Sequence, residues 1–312
     1  MPKEAKVAFL EQLEKRFGKI EKLPNSLSLY DVGQGAARIY IRYSKLHQRN
    51  QAFYGLRQKD LQRLEGHSAF ICLLWDAQRE PLILPFADYE DIIQQLRPAE
   101  DGQFKCAVFV QTDGSEFYMA NAGRFNIEAY FGWAGLEIGI DRSKLKKVEE
   151  LTHAQVQTFL GAIGEKKGYD IWIPANNRSK MDWSLTKQFR FHKKLPYSFK
   201  EIENIIEEID VIWMQRGSAI LKGLFEIEHS TPIYSGLLRF NDVHLVAPDL
   251  RPRFSIVARE DRRTLFVRLL NRPTFRTSGL NEHCTFLEYG NLAAWHARTC
   301  SKNETNYENK LA

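Results

Sequence analysis

Apolar residues recur along this chain with two different periods, and the dominant one changes near its middle. The opening stretch PKEAKVAFLEQLEKRFGKIEKL is amphipathic and studded with Glu and Lys, which predicts a leading helix over residues 3–23. From Leu27 to about Trp133, alternation and short apolar runs predict strands in SLSLYDV, ARIYIRYSKL, AFICLLWD, PLILPF, KCAVFVQT and EFYMANA. RQKDLQRLEG and ADYEDIIQQLR read as helices, and Gly33–Gln34–Gly35, Asp101–Gly102 and Asp113–Gly114 as turns. DRSKLKKVEE, residues 141–150, is polar throughout and predicts a linker.

Beyond it, strands and helices alternate. THAQVQTFLGAIGEKKG predicts a helix with Thr152 as its N-cap and Gly168 at its end. GYDIWIP is a strand stopped by Pro174, and YSFKEIENIIEEI is an amphipathic helix. DVIWM and SAILKGLFEIE are strands joined across Gln215–Arg216–Gly217. Thr231–Pro232 opens the helix IYSGLLRFNDVHLV; RFSIVAR, DRRTLFVRLL and CTFLEYG follow as strand, helix and strand. The expected organisation is a β-rich α+β domain over residues 1–142 and an α/β domain with a mixed sheet flanked by helices over 151–300. A frayed polar tail covers 301–312.

Composition supports this picture without refining it. The 312 residues are 44% apolar and 27% charged, enough for two domains with real cores. No window approaches 18 uninterrupted apolar residues, so no membrane helix is expected, and the N-terminus lacks the apolar stretch of a secretory signal. Cys72, Cys106, Cys284 and Cys300 are scattered, without zinc-ligand spacing; a cytoplasmic protein is expected. The net charge of +5 is mild, but its distribution is uneven. One basic stretch runs from Arg178 to Lys194, and an Arg-rich one from Arg251 to Arg276. Either is also what a solvated face looks like; that the two bracket a cluster of acids favours a polyanion as partner.

Those acids are Asp210 in IDVIW and Glu226 and Glu228 in LFEIEHS. Two apart on a strand, Glu226 and Glu228 share one face, while Phe225 and Ile227 face a core. Side-by-side carboxylates repel and resist desolvation. A hard divalent cation such as Mg²⁺, or Mn²⁺, resolves the conflict, and phosphodiester hydrolysis uses such ions to activate water and neutralise phosphate charge. The simpler alternative is that the acids sit at an exposed strand end and bind nothing.

The order Asp, hairpin, acid-x-acid, helix, strand resembles the PD-(D/E)xK nuclease superfamily and its type II restriction endonucleases. The resemblance spans about Thr152 to Gly290 and is most specific in IDVIW through FEIEHSTPIYSGLLR. It implies a restriction-endonuclease-like mixed-sheet core, with Asp210, Glu226 and Glu228 as catalytic and metal-binding residues. Glu228 stands where most members carry Lys, a Glu-x-Glu variant that a minority of type II enzymes share. Lys222 lies about 13 Å from Glu226 along the same strand face and does not replace that Lys. The resemblance further implies a Mg²⁺-dependent endonuclease acting on double-stranded DNA as a homodimer, with no nucleotide cofactor. A nuclease-like fold that binds DNA without cutting is the alternative that the Glu228 departure favours. Metal-free paired-acid chemistry of the glycosidase kind fits poorly, because these acids lie side by side rather than across a substrate.

Tyr234, Ser235 and Arg239 follow at the start of the next helix; Arg239 is a candidate phosphate ligand or an ion-pair partner of Asp242 or Glu228. His229 has the wrong parity to face the acids, which suits packing or hydrogen bonding. Asp170, Asn176, Asn177 and Arg178, with Tyr234 and Arg239, make up the candidate DNA-binding set, since Asn and Arg read base edges. The first half has no comparable acid cluster. Its dense aromatics and Arg38, Arg42, Arg57 and Arg63 suit a DNA-recognition domain, or a scaffold or dimerisation domain.

Overall fold

The computed structural model describes residues 2–48, 50–111, 114–145, 151–195, 202–218, 220–229, 232–248 and 252–300. Asp113, Lys146 to Glu150 of the expected linker, the Thr231 cap, Arg251 and the 301–312 tail lie outside these residues. The chain divides into two compact units, Met1–Lys146 and Lys147–Ala312.

The first unit runs α1 (Pro2–Phe17), β1 (Glu21–Lys22), β2 (Leu29–Val32), β3 (Ala37–Tyr43), β4 (Gln51–Arg57), α2 (Gln58–Gln62), β5 (Ala69–Leu74), β6 (Leu82–Pro85), α3 (Phe86–Gln95), β7 (Gln103–Phe109), β8 (Glu116–Met119), β9 (Gly123–Asn126) and α4 (Ala134–Leu145). It holds two sheets, β1-β2-β3-β5-β6 and β4-β7-β8-β9. Period-two alternation sorts their side chains. Tyr40, Ile71 and Leu73 of the first sheet share a core with Tyr54, Leu56, Phe104, Val108 and Phe117 of the second. Ile39, Ile41, Phe70 and Cys72 face the other way, against Phe9 and Leu13 of α1 and Leu136 and Ile140 of α4. α1 stops at Phe17, short of the expected residue 23, because Gly18 takes φ +78° and its N–H returns to the Glu14 carbonyl at 2.9 Å. β4, β9 and α4 were not expected from the pattern.

The second unit runs α5 (His153–Lys166), β10 (Tyr169–Trp172), α6 (Ala175–Arg178), α7 (Glu203–Ile206), β11 (Val211–Gln215), β12 (Leu221–Ile227), α8 (Ile233–Val246), β13 (Arg253–Ala258), α9 (Arg263–Leu270), α10 (Pro273–Ser278), β14 (Cys284–Glu288) and α11 (Tyr289–Cys300). Among its described residues the strands form a sheet of order β10-β11-β12-β13-β14. β10, β11 and β12 are antiparallel neighbours, whereas β12, β13 and β14 are parallel, with helices crossing between them. The mixed sheet flanked by helices is the α/β architecture expected for this half. One face carries Ile212, Leu224, Phe254, Ile256 and Phe286 against Ile206, Leu237, Phe240, Phe266 and Phe275. The other carries Val211, Trp213, Phe225, Ile227, Val257 and Leu287 against Phe159, Leu160 and Ile163 of α5 and Leu292 and Trp295 of α11.

Local chemistry explains the ends. Thr152 caps α5 in a capping box with Gln155, as the pattern predicts. Trp213 reaches α5 because Gly164 has no side chain: a Cβ there would lie 2.4 Å from the indole Nε1. That indole N–H donates to the Leu160 carbonyl at 3.0 Å, which ties helix to sheet. Of the helix expected over 197–209, residues 197–201 lie outside the described set, and the described part is α7, which ends at Ile206, three residues short of the expected end. Neither α10 nor α11 was expected.

Candidate active site

β11 and β12 pair Val211 with Phe225, so Asp210, just before β11, comes level with the end of β12. One of its carboxylate oxygens accepts from the Ile227 N–H at 2.8 Å, and the other lies 3.1 Å from His153 Nε2 of α5. Gln157 of the same helix donates to the Asp210 carbonyl at 3.1 Å. Asp210 is therefore held from two sides.

Glu226 and Glu228 share the sheet face that α8 covers. Both are buried, at 1% and 2% exposure. Phe225 and Ile227 point into the opposite core, as the alternation requires. The ladder continues past the end of β12, where the Glu228 N–H donates to the Val257 carbonyl at 2.9 Å. α8 approaches the acids through Gly236. A Cβ at that position would lie 2.7 Å from Glu228 Oε1 and 3.1 Å from Glu226 Cβ. The missing side chain is what lets a helix lie over two glutamates.

Arg239, one turn further along α8, spans the Glu226 carboxylate with Nε at 2.7 Å and Nη2 at 2.9 Å. Its Nη1 stands 3.5 Å from Glu208. Burial pushes the Glu226 carboxyl up to about 8, helped by Asp210 and Glu228 and opposed by Arg239. The charges of Asp210 and Glu228 also reach Tyr289, whose hydroxyl is raised to about 12, chiefly by burial. The Arg262 guanidinium donates to the Glu228 carbonyl at 2.5 Å. A further glutamate, Glu288, ends β14 and is held by Arg263 at 2.8 Å and by Asn291.

The donor type suits a divalent cation: hard carboxylate oxygens, two of the three acids being buried, with a guanidinium beside them. Among the described residues, however, no group of three His, Cys, Asp or Glu stands close enough to hold an ion by itself. The three acids are neighbours rather than a closed chelate, and Arg239 takes up both oxygens of Glu226.

The other expected residues are spread more widely. Asp170 pairs with Met214, about 13 Å along β11 from Asp210. Its carboxylate accepts from the Gly217 N–H at 2.9 Å and so braces the β11–β12 turn. Arg178 ends α6; it donates to the carbonyls of Ile173 at 2.8 Å and His192 at 3.1 Å, and stacks over Trp172. Asn176 and Asn177 sit beside it on α6. Tyr234 packs edge-on against Phe275 under the Arg272 guanidinium. His229 stacks on Tyr289 with its Nδ1 3.4 Å from the hydroxyl, in keeping with the packing or hydrogen-bonding role expected from its parity. His153, Gly236 and Tyr289 were not singled out from sequence. Gly236 carried a signal, as a glycine inside a helical pattern eight residues after an acid pair.

Residues 138–309 match the family model described as the type II restriction enzyme NmeDI C-terminal domain. The type II restriction enzyme NmeDI of Neisseria meningitidis serogroup C is 31% identical over 132 residues, 40% of this chain and 37% of that protein. The chain thus aligns with well under half the length of that curated relative. No solved structure matches. No helix among the described residues is long and apolar enough to cross a membrane.

Proposed function

Because the chain belongs to the family of the NmeDI type II restriction enzyme C-terminal domain, we propose that it is a restriction-type endonuclease that hydrolyses double-stranded DNA with Mg²⁺ or Mn²⁺. The observation that carries this reading is the meeting of Asp210 with the Glu226–Glu228 pair at one end of a mixed sheet, inside the residues that match the family. A bound divalent ion would supply an activated water and charge neutralisation at the scissile phosphate. Asp210, Glu226 and Glu228 would hold it; the sheet fixes their main chains. His153 and the Ile227 N–H orient Asp210. Arg262 holds the Glu228 carbonyl, and the charges of Asp210 and Glu228 reach the Tyr289 hydroxyl. The Glu-x-Glu form of the motif, dimeric action and a recognition role for the first unit belong to the same proposal.

A second reading, binding without cutting, has one observation in its favour: Arg239 already neutralises Glu226. Incubating supercoiled plasmid and phage DNA with the full chain, with and without Mg²⁺, separates the two. Discrete fragments that require the ion and disappear in Asp210→Ala and Glu226→Ala are expected. Salt-sensitive binding with no cleavage in any divalent ion supports the second reading instead.

A further inference from the structure

Glu226 is among the most buried charged groups of the second unit, and its partner is not a fixed part of the sheet. Arg239 reaches it from α8 with two near-parallel charge-assisted bonds, at 2.7 and 2.9 Å. These use both carboxylate oxygens. The Arg239 side chain remains 25% exposed, and its outer nitrogen lies 3.5 Å from Glu208, whose side chain is 69% exposed. The guanidinium therefore sits between a dry inner carboxylate and a wet outer one, on the open side of the acid cluster.

We propose that Arg239 is the resident counter-cation of this site: it must give up Glu226 before Glu226 can ligate a divalent ion, and it withdraws toward Glu208 when it does. The inference rests on the reading of Asp210 and Glu226 as ion ligands. It accounts for the coexistence of suitable donors with the absence of a ready-made chelate among the described residues. Two cations cannot share one buried carboxylate without strong repulsion in a poorly screened environment. The exposed Glu208 carboxylate and solvent hydration return only part of the cost of withdrawal, so the Glu226 pair weighs against ion binding. Once at the rim, the guanidinium presents a fork suited to a phosphate oxygen pair. The competing account is a purely architectural ion pair that pins α8 to the sheet.

Mn²⁺ titration of the full-length protein by calorimetry, in mildly alkaline buffer, distinguishes these accounts without any cleavage assay. Arg239→Ala is expected to bind Mn²⁺ about ten- to a hundredfold more tightly than the parent, the equilibrium weight of the charge-assisted bonds it no longer has to break. Arg239→Lys keeps the charge but loses the fork, so it should fall between the two and guards against misfolding of the alanine variant. Glu208→Gln, which removes the landing point, should weaken binding several-fold. In the parent, the Arg239 Nε–H nuclear magnetic resonance signal should be protected without Mg²⁺ and exchange rapidly with it. If Asp210→Ala weakens Mn²⁺ binding while Arg239→Ala leaves it unchanged or weaker, the counter-cation proposal is overturned and the ion site survives. If Asp210→Ala and Glu226→Ala both bind as the parent does, the ion site itself is wrong, and the proposal falls with it.

Discussion

Replacing Gly236 with alanine tests whether α8 truly rests on the acid pair. The added methyl would lie 2.7 Å from Glu228 Oε1, 3.1 Å from Glu226 Cβ and 3.2 Å from Glu226 Cγ. A rotation of the Glu228 side chain relieves the first contact. The second is to a Cβ fixed to the sheet backbone, so only a shift of the helix relieves it. In an open helix the same change stabilises by about 0.8–1.0 kcal/mol, through backbone entropy alone. Overpacking in a dense interior costs about 1–3 kcal/mol. The balance is a net loss of roughly 0–2 kcal/mol, with sign opposite to that of an unobstructed helical glycine. Gly135 in α4 is the internal control, since nothing lies within 4 Å of a Cβ there, and Gly135→Ala should be neutral or stabilising. Urea unfolding followed by tryptophan fluorescence reads both variants, because tryptophans are present in each unit: Trp75 and Trp133, and Trp172, Trp183, Trp213 and Trp295. Cleavage by Gly236→Ala should fall well below that of Gly135→Ala. Gly236→Ala more stable than its parent, with full cleavage, refutes the placement of the helix over the acids.

The pH dependence follows from Glu226. Its folded value of about 8 exceeds the ordinary 4.5, so between these values the folded state holds more protons than the unfolded one. Stability without divalent ion should therefore fall as pH rises across that window, and Glu226→Gln should flatten the profile; thermal melts in chelator-containing buffers measure both. Divalent-ion affinity should rise across the same window, since binding displaces that proton. Trp213→Phe leaves the Leu160 carbonyl without its indole donor and should cost about 1–3 kcal/mol by urea titration, with no change in protein–DNA affinity. Arg178→Ala should destabilise by a similar ~1–3 kcal/mol, since two carbonyls and the Trp172 stack lose their partner. If its DNA affinity drops while stability holds, the bracing role assigned here is incorrect.

Much of the second unit was readable because its signals are local. Alternation in LFEIE puts the glutamates on one face and Phe225 and Ile227 on the other, and the pleat leaves no other outcome. Thr152 and Gln155 form their capping box within four residues. Parity alone set His229 aside. The elements missed were those with weak local signals. β4, QAFYGLR, is interrupted by Gly55, and α4 and α11 carry glycines and mixed polarity that blur a helical period. α11 is a helix chiefly because Leu292 and Trp295 complete the core against α5.

Periodicity along the chain was enough to establish that Glu226 and Glu228 face together and that strands alternate with helices around them, since both depend on neighbours one to four residues apart. Pairing across the chain was beyond its reach. Whether Arg239 would meet Glu226, Glu228 or Asp242 depends on how α8 crosses the sheet, and that crossing depends on Gly236 admitting the helix to the glutamates. Whether Asp170 or Arg178 would face the acid cluster or brace backbone depends on strand register, which places Asp170 at the far end of β11. Long-range contacts are set by the packing of whole elements, and only the folded chain brings those elements together.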